Sequence, residues 1–137
     1  LLLLRQLQRD LGMGVIFVTH DIGVAVEVSD RLAVMYAGEI VETGTVHELI
    51  RDARHPYTRG LLAANLHGAV KGSRLDAIPG APPALDSAPV ACSFAPRCGV
   101  CRAACLAGPP PAVDLGGGRM VRCVLAQDMN AMEAASA

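Results

Sequence analysis

The chain has 137 residues, of which 52% are hydrophobic, 3% aromatic and 18% charged, and its formal net charge is −1. This composition is typical of a globular protein with an aliphatic core and excludes a disordered chain. The balanced charge argues against a nucleic-acid-binding protein, and no apolar run approaches the ~18 residues of a membrane span.

The first 30 residues predict a helix, a strand and a second helix. Leucines recur every three or four residues, with polar residues between them, at Leu1, Leu4, Leu7 and Leu11. They predict an amphipathic helix that ends at Gly12. The apolar, β-branched run 15–19 follows and predicts a buried parallel strand. Residues 21–29 return to helical spacing. Because the chain opens with Leu in mid-helix, we expect it to be part of a longer protein.

The next segment predicts a hairpin and two more helices. Two strands, 31–36 and 39–43, flank an Ala-Gly pair that is typical of a tight turn. Thr45 and Glu48 have the spacing of a capping box and predict a short helix after them. A further helix is expected over 57–65, with Pro56 in its first turn, where the missing N–H costs nothing.

His20 stands where the predicted strand 15–19 ends. Ligands of α/β sheets bind beyond the carboxyl ends of the strands, so His20 is a candidate binding residue. The alternative is that His20 caps the following helix together with Asp21. Two other histidines are expected to have structural roles, since His47 falls on a helix surface and His55 at the start of a helix.

Five cysteines lie within 32 residues, at Cys92, Cys98, Cys101, Cys105 and Cys123. No histidine lies among them, so an all-thiolate site for Zn²⁺ or an iron–sulfur cluster is predicted. Disulfides are a third interpretation, and they would be disfavoured in a reducing cytosol. The remaining interpretation is that the five cysteines are inert thiols in a loop. Residues 91–123 carry a net charge of +3, so basic side chains are expected to offset an anionic metal group; these are Arg97, Arg102, Arg119 and Arg122, against Asp114.

The run VIFVTHDIGVAVEVSDRLAVMYAGEIVETG, followed by HPYTRGLLAA, IPGAPPAL and CSFAPRCGVCRAAC, resembles the ATP-binding subunits of oligopeptide and dipeptide ABC importers, a family that includes nickel importers. The resemblance covers nearly all of residues 1–125. It implies an α/β fold: the C-terminal part of an ABC-type nucleotide-binding domain, followed by a small irregular cysteine-bearing region. The implied division is 1–65 for the ATPase part, 66–90 for a Pro/Gly-rich linker, 91–125 for the cysteine region and 126–137 for a flexible tail.

By the same resemblance, His20 is the switch histidine that contacts the γ-phosphate of ATP and orients the attacking water. The chain has no phosphate loop, since its one lysine, Lys71, has the wrong spacing. It also lacks the signature motif and the catalytic carboxylate, so alone it is expected to be inactive. The implied complete protein hydrolyses ATP with Mg²⁺. It pairs with a second ATP-binding subunit and docks on membrane permease subunits, as a peripheral protein at the cytoplasmic face of the inner membrane.

The family's cysteine pattern falls on Cys92, Cys98, Cys105 and Cys123, and it implies a [4Fe–4S] cluster, with zinc as the alternative. Cys101 is then the additional cysteine. Two other functions stay open at this point: an independent metal-binding interaction module, and a truncated remnant with no function of its own. The transported solute cannot be read from the sequence.

Overall fold

The computed structural model describes residues 2–67, 78–84, 86 and 88–126, which form several helices and a four-stranded antiparallel sheet. Lys71 and the tail 127–137 lie outside the described residues. The helices are α1 (Leu2–Leu11), α2 (Ile22–Val28), α3 (Val46–Asp52), α4 (Pro56–His67) and α5 (Ala103–Leu106), with a 3₁₀ turn at Ala95–Arg97. The strands are β1 (Arg31–Tyr36), β2 (Glu39–Thr45), β3 (Val113–Gly116) and β4 (Arg119–Val121).

The predicted hairpin is confirmed as strands β1 and β2. Ala37 and Gly38 connect them with φ angles of 49° and 81°. Two consecutive residues with positive φ are the mark of the type I′ turn, whose twist suits paired strands. The strands pair antiparallel from Arg31 opposite Thr45 to Tyr36 opposite Glu39, with a register shift between Val34 and Met35.

The sheet also contains two strands from the cysteine-bearing segment, which the sequence predicted to be irregular. Strand β4 pairs with β2, placing Val121 opposite Glu42, and the backbone N–H of Arg122 donates to the Val41 carbonyl at 2.8 Å. Strand β3 pairs with β4 at the sheet edge. Segments far apart in the chain therefore share one sheet.

The prediction of a buried parallel strand at 15–19 is wrong. This segment forms no strand, and Ile16 and Val18 are 95% and 88% exposed. A strand needs a neighbour with which to exchange backbone hydrogen bonds, and no described strand lies beside these residues. The apolar run therefore has the composition of a buried strand without the partner that would make it one.

Local signals correctly predicted the first four helices. The carboxylate oxygen of Asp21 accepts from Gly23 N at 2.9 Å and Val24 N at 3.2 Å, so Asp21 is the N-cap of α2. The capping box is also present. Glu48 N donates to Thr45 Oγ1 at 3.3 Å, while Thr45 N donates to Glu48 Oε2 at 2.7 Å. Both satisfy amides that a helix start leaves free.

An aromatic cluster connects the hairpin, α4 and the cysteine segment. The rings of Tyr36 and Tyr57 lie 4.7 Å apart, and that of Phe94 lies 5.2 Å from Tyr36 and 5.4 Å from Tyr57. These separations are typical of favourable aromatic pairs. Tyr57 therefore has a packing role, and Phe94 brings the start of the cysteine segment against the core.

Candidate functional site

His20 lies between the extended segment 13–19 and helix α2, and its side chain is exposed. It borders an open groove together with Thr19, Asp21 and residues of α1, α2 and β1. Within the described part of the chain, the structure records no hydrogen bond to its imidazole. The ring is therefore accessible to a ligand.

The alternative role of His20 as a helix cap is already filled by another residue. Asp21 supplies the capping oxygen, and Thr19 Oγ1 accepts from Asp21 N at 3.0 Å, which fixes the turn before the helix. An exposed imidazole between these two residues contributes nothing to the cap. Its side chain is thus free for a function that the local structure does not require.

Four of the five cysteines line one small cavity: Cys92, Cys98, Cys105 and Cys123. Apolar side chains form much of the remaining wall, from Phe94, Ala95, Pro110, Val124 and Leu125. Cys101 is exposed and does not line the cavity. The structure therefore brings together the four cysteines that the family pattern singled out and leaves the fifth outside.

Three of these cysteines each begin a short turn that folds backbone amides towards the sulfur. The carbonyls of Cys92, Cys98 and Cys123 accept from the amides three residues later at 2.9, 3.2 and 3.2 Å. In the same turns, backbone hydrogen bonding from Phe94, Val100 and Leu125 favours the thiolate form of the respective cysteine. Amides placed in this way stabilise a negatively charged sulfur.

Burial has the opposite and larger effect on these thiols. It raises the pKa of Cys92 and Cys98 above the usual range and raises that of Cys123 to about 11, while the neighbouring cysteines add to the increase. The thiols are therefore protonated at neutral pH when no cation is present. A bound metal would compensate for this burial, and its binding would release protons.

The donor chemistry fits a soft metal or an iron–sulfur group, because all four donors are sulfurs in an apolar surrounding. In the described ranges, no three His, Cys, Asp or Glu side chains are arranged to hold a metal ion as they stand. The thiols would have to rotate towards a common centre. The cavity volume is about 10 Å³, close to that of one water molecule, so a four-iron cluster would also require the cysteines to move apart.

None of the arginines expected beside this group lines the cavity, and two of them bind elsewhere. Arg97 donates to the carbonyls of Pro79 at 2.7 Å and Ile78 at 3.1 Å. Arg119 donates to the carbonyl and carboxylate of Asp52, at 2.7 and 3.3 Å. A guanidinium finds stronger partners in carboxylates and carbonyls than in a thiol. These two side chains therefore hold the cysteine segment against its neighbours.

The position of His55 in this cavity was not predicted from the sequence. The residue is 2% exposed and lines the cavity beside the four cysteines. The expected role at the start of a helix is confirmed, because its Nδ1 accepts from Tyr57 N at 3.1 Å. The sequence HPY signals the helix start but gives no sign of the cavity, whose other lining residues, apart from Pro56, are more than 35 positions away.

Glu42 holds His55 in place from strand β2. Its side chain is 1% exposed, and its two oxygens accept from Arg54 N at 2.6 Å and His55 N at 3.1 Å. Burial lowers the pKa of His55 to about 4, so its imidazole is neutral near pH 7. A buried glutamate and a buried histidine thus determine how helix α4 begins beside the cysteines.

Comparison with known proteins shows which family the central part of this chain is similar to. Residues 41–105 match a family described as the C-terminal region of oligopeptide/dipeptide transporters. This match agrees with the family that the sequence motifs predicted.

Particular relatives extend the match beyond that region. Proteins of Brucella ovis and Brucella abortus, named as peptide import ATP-binding proteins, are each 44% identical over 135 residues. The match covers 94% of this chain and 40% of each relative. A Brucella melitensis protein of the same designation is 45% identical over 121 residues, covering 88% of this chain and 36% of the relative. The chain thus spans about two-fifths of the length of these relatives.

Among the described helices, none is long and apolar enough to cross a membrane.

Proposed function

We propose that this chain is the C-terminal part of the ATP-hydrolysing subunit of an ABC importer for peptides or similar small solutes. The observation that carries the proposal is the 44% identity to peptide import ATP-binding proteins along 94% of the chain. The complete subunit would bind ATP with Mg²⁺ through elements that this chain does not contain. It would pair with a second ATP-binding subunit and dock on membrane permease subunits at the cytoplasmic face of the inner membrane.

His20 is the residue through which this chain takes part in ATP hydrolysis. An imidazole at the γ-phosphate offers a positioned hydrogen-bond donor, and phosphoryl transfer depends on such groups more than on covalent chemistry. The exposure of His20 and the capping of α2 by Asp21 support this role. In this proposal Asp21 caps helix α2, and the neighbouring His20 contacts the nucleotide.

The test is His20→Ala in the complete subunit, with His47→Ala as the matched control because His47 is exposed on α3. The His20 variant should lose about a hundredfold in ATP turnover, with little change in nucleotide affinity, since the contact matters most in the transition state. The His47 variant should keep the parent rate. Parent-like turnover in the His20 variant would refute the assignment.

The isolated chain should neither bind nor hydrolyse ATP, because it has no phosphate loop or catalytic carboxylate. Calorimetric titration of the 137-residue chain with MgATP should give no saturable heat. Saturable binding at micromolar concentrations would contradict this expectation and would indicate a nucleotide site built from the residues of this chain alone.

The second part of the proposal is that Cys92, Cys98, Cys105 and Cys123 hold a structural [4Fe–4S] cluster, with zinc as the alternative. Their shared cavity and the turns that direct amides to three of the four sulfurs support this ligand set. The cluster would supply a covalent cross-link to a segment poor in large apolar side chains. Because the cavity is small, a single zinc ion remains the alternative to the cluster.

Single Cys→Ser variants of the complete protein, purified without oxygen, test the ligand set by iron and acid-labile sulfide content. Four variants should lose iron and stability, while Cys101→Ser should keep both. Stoichiometric zinc without sulfide would replace the cluster by a zinc site. Iron lost from Cys101→Ser and retained in Cys105→Ser would show that the fourth ligand was wrongly chosen.

A further inference from the structure

The orientation of the His55 ring is fixed by three contacts within the described residues. Its backbone N–H donates to Glu42 Oε2 at 3.1 Å, and its Nδ1 accepts from Tyr57 N at 3.1 Å. Its ring also packs on Phe94, with 5.7 Å between ring centroids. A side chain held at its backbone, one edge and one face has little freedom to reorient.

The contact with Tyr57 also determines which nitrogen carries the proton. An amide N–H can donate only to a lone pair, so Nδ1 is unprotonated and the imidazole proton lies on Nε2. Within the part of the chain that the structure describes, Nε2 has no recorded hydrogen-bond partner. His55 is 2% exposed as a whole residue, and it lines the same cavity as the four cysteines.

We propose that His55 is a positioning residue for the group held by the four cysteines, and that its Nε2–H donates a hydrogen bond to a thiolate or sulfide sulfur in the cavity. This inference rests on the proposed metal site. Donors to ligand sulfurs stabilise metal centres and set the potentials of iron–sulfur clusters. None of the four arginines lines the cavity, so His55 is the lining residue that offers a side-chain N–H to the sulfurs.

The same arrangement links the cavity to the hairpin. Glu42 lies on β2, directly opposite Val121 of β4, and accepts from the amides that begin helix α4. A change at the sulfurs would therefore reach β2 through His55 and Glu42, and a change in the hairpin would move the donor. His55 is thus one connection between the cysteine group and the sheet, in addition to the pairing of β4 with β2.

Two substitutions separate the donor from the helix cap. His55→Asn keeps an acceptor close to the position of Nδ1, and Asn is a favoured N-cap, but it has no donor near Nε2. His55→Gln reverses this, because its longer amide presents an N–H near Nε2 and loses the cap. Both variants and the parent are prepared as the complete protein, purified without oxygen and loaded with ferrous iron and sulfide.

The measurements are the rate of iron loss to a chelator, the midpoint potential and the thermal unfolding midpoint of the metal-free protein. His55→Asn should unfold near the parent temperature, lose iron about 10- to 100-fold faster and show a lower potential. His55→Gln should retain iron better than His55→Asn while unfolding at a lower temperature.

Parent-like iron loss and potential in His55→Asn would overturn the inference and leave the ligand set intact. Equal iron loss in both variants, in proportion to their loss of thermal stability, would overturn it in favour of a purely structural histidine. A parent that loads neither iron nor sulfide would overturn the cluster itself, and the inference with it. This last failure is visible in the parent before any variant is measured.

Discussion

Substitution of Glu42 should be among the most destabilising single changes outside the cysteines. Its oxygens satisfy two amides, Arg54 N at 2.6 Å and His55 N at 3.1 Å, at a site that is 1% exposed. Each buried amide left without a partner costs about 1–3 kcal/mol. Glu42→Ala should therefore lower the free energy of unfolding by about 4 kcal/mol. Glu42→Gln keeps one acceptor and should cost about 2 kcal/mol.

Urea denaturation followed by circular dichroism measures both values, with Glu27→Ala as the control. Glu27 is an exposed carboxylate on helix α2, so its removal should change stability by less than about 0.5 kcal/mol. If Glu42→Ala costs less than about 1 kcal/mol, or if the Gln variant is as unstable as the Ala variant, the argument from two amide acceptors is refuted.

Three further changes test local features. The pKa of His55 is lowered to about 4 in the folded chain from an ordinary 6.5, so on acidification the unfolded chain is protonated first. The contribution of His55 to the free energy of unfolding should be fully present above pH 6.5 and should fall by about 3 kcal/mol between pH 6.5 and pH 4. In thermal unfolding of the metal-free protein across this range, His55→Asn should flatten the slope, and an unchanged slope would show that another group titrates. Thr45→Ala should cost about 1 kcal/mol by removing the capping oxygen. Thr45→Ser should cost much less, and equal losses in urea would contradict the capping role. Gly38→Ala should lower the free energy of unfolding by about 1 kcal/mol because φ at this position is 81°, whereas Gly38→Asn should be better tolerated. If urea denaturation shows no loss for Gly38→Ala, the argument from backbone strain is refuted.

Features that depend on a few neighbouring residues could be predicted from the sequence. The cap at Asp21, the box of Thr45 and Glu48, and the Ala37–Gly38 turn each involve residues no more than three positions apart. Their hydrogen bonds and φ requirements are local, so the residue types alone indicate them. The hairpin followed because its turn and both of its strands lie next to each other in the chain.

The features that were missed depend on partners far away in the sequence. The run 15–19 has the composition of a buried strand, but nothing in its own residues says whether another strand lies beside it. Strands β3 and β4 are short, and their pairing is set by β2 of the hairpin. His55 was assigned to the start of a helix, because the sequence cannot show which distant side chains its other face meets.

The candidate site, too, was predicted from the sequence only in part. The spacing of the cysteines, together with the family resemblance, selected the four that line one cavity and excluded Cys101. Charge counting then suggested arginines as their neighbours, whereas Arg97 and Arg119 are bonded to backbone carbonyls and Asp52. Net charge describes a segment and not the direction of its side chains, so it could not identify the residue beside the sulfurs.

The pairing of β2 with β4 has a consequence for the order of synthesis. Thr43 and Gly118, which meet where these strands adjoin, are 75 residues apart. During translation the hairpin can form as soon as it leaves the ribosome, but β2 can pair with β4 only after residues 119–121 have been synthesised. An unpaired strand edge readily pairs with other chains. The nascent protein therefore passes through an interval in which its hairpin is complete and its sheet is open to aggregation, until the cysteine segment arrives.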